Sequence, residues 1–272
     1  MSAALDTTPP PPAPRPWTGA RIAGVCLVGF WALAGLGFAL YMILAFNPEL
    51  FARYWRSYLS GLWVTLVLVA LSFVLGAVLS APIAYARNAR SRLLSVPAYA
   101  YVYFFRGSPL LAQIYLIYYG LGSFRPSLEA LGLWTVFREP WNCALLALTL
   151  NSAAYQTEIL RGAVRSVARG QWEGAAALGL DRWQTLRKVV LPQALIVALR
   201  PYGNEIVLLI KGSAVVAIIT VFDLMGETRR AYSRSFDFQT YLWAAILYLA
   251  VVEALRHGVE WIERRLTRHL RR

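Results

Sequence analysis

The sequence has few of the residues on which most protein chemistry depends. Among 272 residues there are two cysteines and two histidines, and both histidines, His257 and His269, fall in the basic C-terminal region. Enzymes need clustered nucleophiles and bases, and structural zinc sites need clustered thiolates and imidazoles. The sequence therefore predicts no catalytic residues, no metal site and no cofactor held by this chain. Cys26 and Cys143 are isolated in apolar runs and are interpreted as small core residues.

Acidic residues are also scarce. Asp and Glu number 14 against 27 Lys and Arg, which gives a net charge of +13. In a soluble protein this excess would indicate a nucleic-acid partner. Here 58% of residues are hydrophobic and mean hydropathy is +0.49, well above an ordinary globular domain. The charge is therefore attributed to membrane topology, with lipid and not nucleic acid as the surrounding partner.

Apolar runs long enough to cross a bilayer recur along the chain. A span needs about 20 residues to cross a hydrocarbon core of roughly 30 Å. The prediction is one all-α, polytopic membrane domain with about six spans, at 21–46, 62–86, 94–122, 141–160, 192–221 and 239–261.

The N-terminal region differs from the rest in composition. Residues 1–20 contain the run Pro9–Pro12 and are predicted to be a disordered cytoplasmic tail. Residues 21–46 form an apolar run too long for a signal-peptide core, so we expect a retained additional N-terminal span. A main membrane domain is expected over 57–265 and a basic tail over 266–272.

The distribution of Lys and Arg along the chain indicates its orientation in the membrane. If the N-terminus is cytoplasmic, the cytoplasmic segments hold most of the cations, in groups near 15–21, 87–92, 161–188 and 256–272. The external segments then hold only Arg53, Arg56, Arg125, Arg138, Arg229, Arg230 and Arg234. Because positive charge collects on the cytoplasmic side, both termini are predicted to lie in the cytoplasm.

A polar segment at 162–191 separates two of the spans. Its alanines favour a helix that Gly179 interrupts, and Asp181 can cap a second short helix, with Gln184 in the reciprocal position. The spacing also predicts one apolar face and a start of the next span at Pro192; that face comprises Leu180, Trp183, Leu186 and Val190. Two short helices of this kind either dock in a partner's groove or rest on lipid headgroups.

The spacing in this segment resembles a known motif. Glu173-Gly174-Ala175, followed by Gly179 and then Leu191-Pro192, is similar to the coupling loop of ABC-importer permeases, although many members have alanine where Gly174 stands. The resemblance implies a type I ABC-importer transmembrane domain, with five core spans plus one extra. It further implies that these residues contact an ATPase: Glu173, Gly174, Ala175, Gly179, Leu191 and Pro192.

Other segments narrow the resemblance to permeases for polar amino acids. They are Phe105 to Gln113, Asn151 to Tyr155 with Glu158, and Pro201 to Glu205. The family implied is that of the histidine, glutamine, arginine and opine importers of the bacterial cytoplasmic membrane. Its members work with two ATP-binding subunits that carry ATP and Mg, a second permease subunit (paralogue or self) and an external solute-binding protein.

Polar residues inside the predicted spans are candidates for the solute path. Charges at membrane depth normally face a cavity or a partner. Asn151, Tyr155 and Glu158 share one helical face, which either lines the path or contacts another helix. An anionic Glu158 would attract an ammonium group or a cationic side chain, but Arg161 at i+3 is expected to pair with it. Arg106 and Ser108, beside a break at Gly107 to Pro109, would either anchor a carboxylate or hold two permeases together.

Two other function classes are weighed against a permease. A secondary transporter driven by an ion gradient usually shows paired internal repeats, which this chain lacks, and would not need the 162–191 segment. A membrane enzyme would need clustered nucleophiles and bases, or clustered metal ligands, and the sequence shows neither. No phosphate-binding Walker loop is present, so any ATPase is expected to be a separate chain.

Overall fold

The computed structural model describes residues 17–268, and these contain helices and turns but no strand. The helix α1 spans Gly19–Leu44 and belongs to a compact unit separate from the rest of the chain. It begins at Thr18, whose hydroxyl accepts from the N–H of Arg21, and none of its residues is buried. A helix that is apolar all round suits lipid contact on every side. The predicted tail at 1–20 lies mostly outside the described residues.

The second unit holds eleven further helices among the described residues. They are α2 (Pro48–Arg87), α3 (Arg92–Gly107), α4 (Leu110–Tyr115), α5 (Arg125–Ala130), α6 (Trp134–Phe137), α7 (Pro140–Ser166), α8 (Arg169–Ala177), α9 (Arg182–Thr185), α10 (Leu191–Ser213), α11 (Leu224–Ser235) and α12 (Gln239–Leu266). Two π turns, Leu116–Gly120 and Leu186–Val190, extend α4 and join α9 to α10, and a 3₁₀ turn at Ala214–Ile219 follows α10.

Four helical stretches in the described part are long and apolar enough to cross a membrane: Gly19–Leu44, Pro48–Arg87, Arg182–Ile219 and Gln239–Leu266. The other two predicted spans correspond to α7, which has 27 residues, and to the broken pair α3 and α4. At 1.5 Å per residue, α7 is about 40 Å long, which is enough to cross a bilayer. The all-α, polytopic prediction is therefore confirmed.

The helix bounds differ from the predicted spans in two places. The helix α2 begins at Pro48, well before the predicted Leu62, because hydropathy detects the apolar part of a helix and not its polar end. The helical stretch of the fifth span extends back to Arg182, because α9 and the π turn run on into α10 without a gap. Pro192 lies in the first turn of α10, as predicted.

The core of this unit forms around α7 and α10, which pack most extensively against each other. The buried face of α7 carries small residues, including Ala144, Ala147 and Ala153, all fully inaccessible. Small side chains let helix backbones approach closely where no water-driven force holds them together. Larger buried residues from α2, α4 and α10, such as Leu68, Ile114 and Ile210, fill the remaining space.

A second packing centre anchors α11 on the side opposite the α8–α9 segment. Asp223 is fully buried and caps α11 by accepting from the N–H of Gly226 at 2.8 Å. Thr65 of α2 accepts from the N–H of Leu224 at 3.0 Å, and Tyr58 donates to the carbonyl of Thr240 at 2.8 Å. Burial raises the pKa of Asp223 to about 6, so near neutral pH its carboxylate depends on its donors, the N–H of Gly226 and the hydroxyl of Tyr248.

Candidate functional site

The break between α3 and α4 is built from side chains that replace lost backbone hydrogen bonds. Ser108 Oγ donates to the carbonyl of Phe104 at 2.7 Å. Gln113 Nε2 donates to the carbonyl of Phe105 at 2.9 Å and to Ser108, both its carbonyl (3.0 Å) and its hydroxyl (2.9 Å). The last carbonyls of a helix have no partners of their own and need such donors. The predicted break at Gly107 to Pro109 is confirmed.

Asn151 of α7 completes this network. Its Nδ2 donates to the carbonyl of Phe105 at 3.1 Å and to Gln113 Oε1 at 2.9 Å. Ser108 and Asn151, both predicted for the solute path, thus hold irregular backbone against α7, which is where such backbone is tolerated in a membrane. Gln113 is buried at 2% exposure and was missed as a candidate, although it stands in the Phe105 to Gln113 segment.

An open cleft beside this network brings three of the predicted residues together. Its volume is about 380 Å³, and its lining includes Arg106 of α3, Tyr155 and Glu158 of α7, and Pro201 of α10. The guanidinium of Arg106 lies over the Tyr155 ring, 5.2 Å from its centroid. Arg106 forms no ion pair among the described residues; the buried carboxyl of Glu205 interacts with its charge at longer range, and the guanidinium itself lines the cleft.

Glu158 carries two ion pairs. Arg161 reaches both of its oxygens from one turn along α7, which confirms the predicted i, i+3 pair. Arg87, the last residue of α2, donates from Nη2 to Glu158 Oε1 at 3.1 Å. The second pair was missed because the two residues are 71 positions apart and only the helix packing brings them together.

A buried carboxyl lies deeper between α7 and α10. Glu205 is 4% exposed and accepts from Ser152 Oγ at 3.0 Å, and Ser152 accepts from Gln156 Nε2 at 2.9 Å. Gln156 also donates to the carbonyl of Phe73 in α2 at 2.9 Å. A Cβ at Gly76 would lie 2.9 Å from Gln156 Nε2, so a glycine is needed where α2 crosses this cluster. The cluster joins three helices behind the cleft.

The helix α8 ends in the way the sequence predicts. Gly179 has φ +73°, and its N–H donates to the carbonyl of Ala176 at 3.0 Å. The N–H of Leu180 donates to the carbonyl of Ala175 at 3.1 Å, which completes a Schellman turn. A left-handed residue at this position is usually glycine, because a Cβ is disfavoured there. The interruption predicted at Gly179 is confirmed.

The helix α9 begins with a capping box. Asp181 Oδ1 accepts from the N–H of Gln184 at 2.8 Å, and Gln184 Oε1 accepts from the N–H of Asp181 at 3.4 Å. The predicted cap is confirmed. With both ends of the bend fixed, α8 and α9 form a stiff element and not a flexible loop.

This element has its own apolar support. Ala163, Val167, Val190, Ala194 and Ala198 form a buried cluster against which Trp172 and Leu186 pack. Leu178 and Trp183 instead project outward, with 82% and 67% exposure. The predicted single apolar face was therefore wrong for Trp183, since the π turn at Leu186–Val190 changes the helical phase between it and Val190.

The residues predicted to contact the ATPase lie on different sides of the α8–α9 element. Glu173 and Gly174 are exposed on α8, whereas Ala175 is 4% exposed and faces the cluster. Leu191 and Pro192 begin α10 at the far end of the π turn. The exposed surface of the element thus includes Glu173, Gly174, Leu178 and Trp183, together with charged residues such as Asp181 and Arg182.

Comparison with known families decides which class of protein this is. The family described as "Binding-protein-dependent transport system inner membrane component" matches residues 72–268. The chain belongs to this family. The match covers α8, α9 and the cleft, and excludes α1.

Relatives of the permease agree with this assignment. It is 40% identical over 214 residues to the nopaline transport system permease protein NocM of Agrobacterium fabrum, which covers 78% of this chain and 89% of the relative. It is 42% identical over 165 residues to the arginine ABC transporter permease protein ArtM of Escherichia coli, covering 61% and 74%. The octopine transport system permease protein OccM of Rhizobium meliloti is 38% identical over 230 residues, covering 82% and 94%.

Solved structures show the same fold. The crystal structure of an amino acid ABC transporter with histidines superposes with a TM-score of 0.73 at 29% identity, covering 81% of this permease and 99% of that chain. A chain of the inward-facing MetNI methionine ABC transporter superposes with a TM-score of 0.61 over 81% of this permease and 97% of that chain; at 20% identity it supports the fold alone. The permease thus has the type I ABC-importer fold, and it is a transport subunit of an ABC importer complex.

Proposed function

We propose that this chain is the solute-conducting permease of an ATP-driven importer for a polar amino acid, such as histidine or arginine, or for an opine. The support for the solute class is that relatives covering most of the chain carry nopaline, octopine and arginine. The partners proposed are two ATPase subunits that bind ATP and Mg, a second permease and an external solute-binding protein. The location proposed is the bacterial inner membrane, with both termini cytoplasmic, which the distribution of Lys and Arg supports.

The observation that carries this proposal is the stiff two-helix element of α8 and α9. Its inner apolar side is already packed against the cluster around Val190 and Ala194, so that side is not available to lipid. The exposed residues of the element include the apolar Leu178 and Trp183 and the charged Glu173 and Arg182. A rigid ridge with an apolar tip and a flanking charge suits a groove in a partner protein, whereas an interfacial helix would present a long apolar face. We therefore assign the element to contact with the ATPase.

The energy source separates this proposal from a secondary transporter. In vesicles that contain the permease with its ATPase and loaded binding protein, orthovanadate should abolish uptake of the solute. A protonophore should leave uptake unchanged while ATP is supplied, because no ion gradient drives the step. Uptake that stops with the protonophore and persists with vanadate would contradict the proposal.

Within the cleft, we assign Arg106 to the carboxylate of the solute. Its guanidinium stands over Tyr155 at the exposed end of α3 and forms no ion pair among the described residues, with the buried Glu205 interacting only at longer range. Charge-assisted hydrogen bonds from arginine to a carboxylate are frequently bidentate and are stronger than neutral ones. Tyr155 holds the guanidinium by a cation–π contact that leaves its N–H edges free to donate.

Replacing Arg106 tests this assignment. Arg106→Gln should raise the apparent KM for uptake by about tenfold or more, since a hydrogen bond to a charged group contributes roughly 1.5–3 kcal/mol. Arg106→Lys should retain part of the affinity because it keeps the charge but loses the planar fork. Arg90→Gln, which removes an exposed arginine between α2 and α3, is the matched control. A wild-type KM in Arg106→Gln would remove Arg106 from the path.

A further inference from the structure

The two ion pairs of Glu158 place two cations on one carboxylate. Arg87 donates to Oε1 from Nη2 at 3.1 Å and from Nε at 3.3 Å, and Arg161 donates to both oxygens. All three side chains are mostly shielded, with 15% to 20% exposure. One negative charge is thus shared by two positive charges. We call Arg87, Glu158 and Arg161 the triad; its net charge is +1.

Arg87 is held in this position from a third helix. Its guanidinium lies 4.7 Å from the ring centroid of Tyr99 in α3. The next residue, Asn88, accepts from Arg165 Nη2 of α7 at 3.3 Å, which also ties the end of α2 to the last turns of α7. A stacked guanidinium with two donors on one oxygen has little freedom to leave. Arg87 is therefore a fixed counter-charge and not a mobile surface arginine.

The position of the triad matters because Glu158 also lines the cleft that contains Arg106. Arg87 does not line the cleft, so it acts on the cleft through Glu158. Without Arg87, Glu158 and Arg161 would form a neutral pair and Arg106 would be the one uncompensated charge among these four residues. With Arg87 present, the net positive charge of the triad adds to that of Arg106 on the same side of the cleft.

We propose that Arg87 determines the charge preference of the cleft: by pairing with Glu158 from behind, it disfavours solutes with a cationic side chain. Of the solutes named in the proposed function, the preferred ones are histidine, whose imidazole is mostly neutral at neutral pH, and an opine, whose added carboxylate offsets its side-chain charge; arginine is disfavoured. This inference rests on the proposed function, since it requires that the solute passes through the cleft. Specificity of this kind is a difference between two affinities, created by repulsion of the wrong solute as well as attraction of the right one.

A purely structural role for Arg87 makes a different prediction. If Arg87 only joins α2 to α7, its loss should reduce the folded fraction or the affinity for every solute by the same factor. The ratio of two affinities measured on one preparation does not depend on the folded fraction. Arginine and citrulline are suitable probes, because they have nearly the same shape and differ in the charge of the side chain.

The experiment measures binding of radiolabelled arginine and citrulline to the assembled permease–ATPase complex in lipid nanodiscs, without the binding protein. The wild type should prefer citrulline. Arg87→Gln should shift the ratio of dissociation constants toward arginine by about tenfold, which is the effect expected of one unit charge at several ångströms in a partly polar site. Arg87→Lys should keep the wild-type ratio, and Arg161→Gln should shift it in the same direction as Arg87→Gln.

The double variant Arg87→Gln/Glu158→Gln separates charge from shape. It should return the ratio to near the wild-type value, because only Arg161 then remains charged and the net charge of the group is again +1. An unchanged ratio in both Arg87→Gln and Arg161→Gln would overturn the inference about Arg87 while leaving the proposed function standing. If the wild-type complex binds neither probe and Arg106→Gln leaves transport unchanged, the cleft is not the solute path, and the inference about Arg87 fails with it.

Discussion

Charge reversal at Glu173 should abolish transport without preventing membrane insertion. Glu173 is exposed on α8 beside the outward-facing Leu178 and has no ion pair among the described residues, so Glu173→Lys removes no contact within the chain. At a docking surface the same change places a like charge or an unpaired one against the ATPase, which costs several kcal/mol. We expect uptake to fall by about tenfold or more, together with reduced co-purification of the ATPase.

Gly179→Arg should give the same result by a different route. No heavy atom would crowd a Cβ at Gly179, but its φ of +73° disfavours any side chain by about 1–2 kcal/mol. The strain would loosen the Schellman turn that fixes α8 against α9, so the element would no longer transmit a displacement.

Gly132→Arg provides the matched control for backbone strain. Gly132 also has a left-handed φ, +69°, and also has open space around it, but it lies between α5 and α6, away from the α8–α9 element. Gly132→Arg should therefore keep uptake and ATPase binding. Normal uptake in both Glu173→Lys and Gly179→Arg would remove the assignment of this element to the ATPase.

The features that could be predicted from the sequence are those set by neighbours along the chain. The cap of Asp181 and Gln184 and the pair of Glu158 and Arg161 each join residues three positions apart. The left-handed turn at Gly179 and the break at Gly107 to Pro109 follow from the backbone preferences of glycine and proline. These features need no knowledge of how the helices pack.

The features that could not be predicted depend on which helix faces which. Arg87 meets Glu158 across 71 positions, and Ser152 meets Glu205 across 53. One helical face of α7 could be identified, but not that Asn151 would bind the broken end of α3 while Glu158 pairs with α2. The π turn at Leu186–Val190 was also missed, because its apolar pattern is that of an ordinary helix.

The second large effect is expected at Gly226, near the start of α11. A Cβ built there would lie 2.3 Å from the carbonyl oxygen of Val221, and that oxygen belongs to the backbone and cannot rotate away. Gly226→Ala must therefore displace the first turn of α11 or the loop before it. Either movement breaks the 2.8 Å bond from the N–H of Gly226 to Asp223 and leaves a fully buried carboxylate with fewer donors.

The expected cost of Gly226→Ala combines overpacking, about 1–3 kcal/mol, with a lost hydrogen bond to a charged group, about 1.5–3 kcal/mol. Thermal unfolding of the purified protein in detergent should show a clear fall in Tm and a lower yield of folded protein.

Gly258→Ala in α12, where nothing lies within 4 Å of the added atom, is the matched control and should be neutral or stabilising. Gly61→Ala, whose Cβ would lie 2.8 Å from the carbonyl oxygen of Asp223, should also destabilise, because it presses on the same loop from α2. Equal Tm values for Gly226→Ala and Gly258→Ala would show that the loop before α11 can move aside from this close contact.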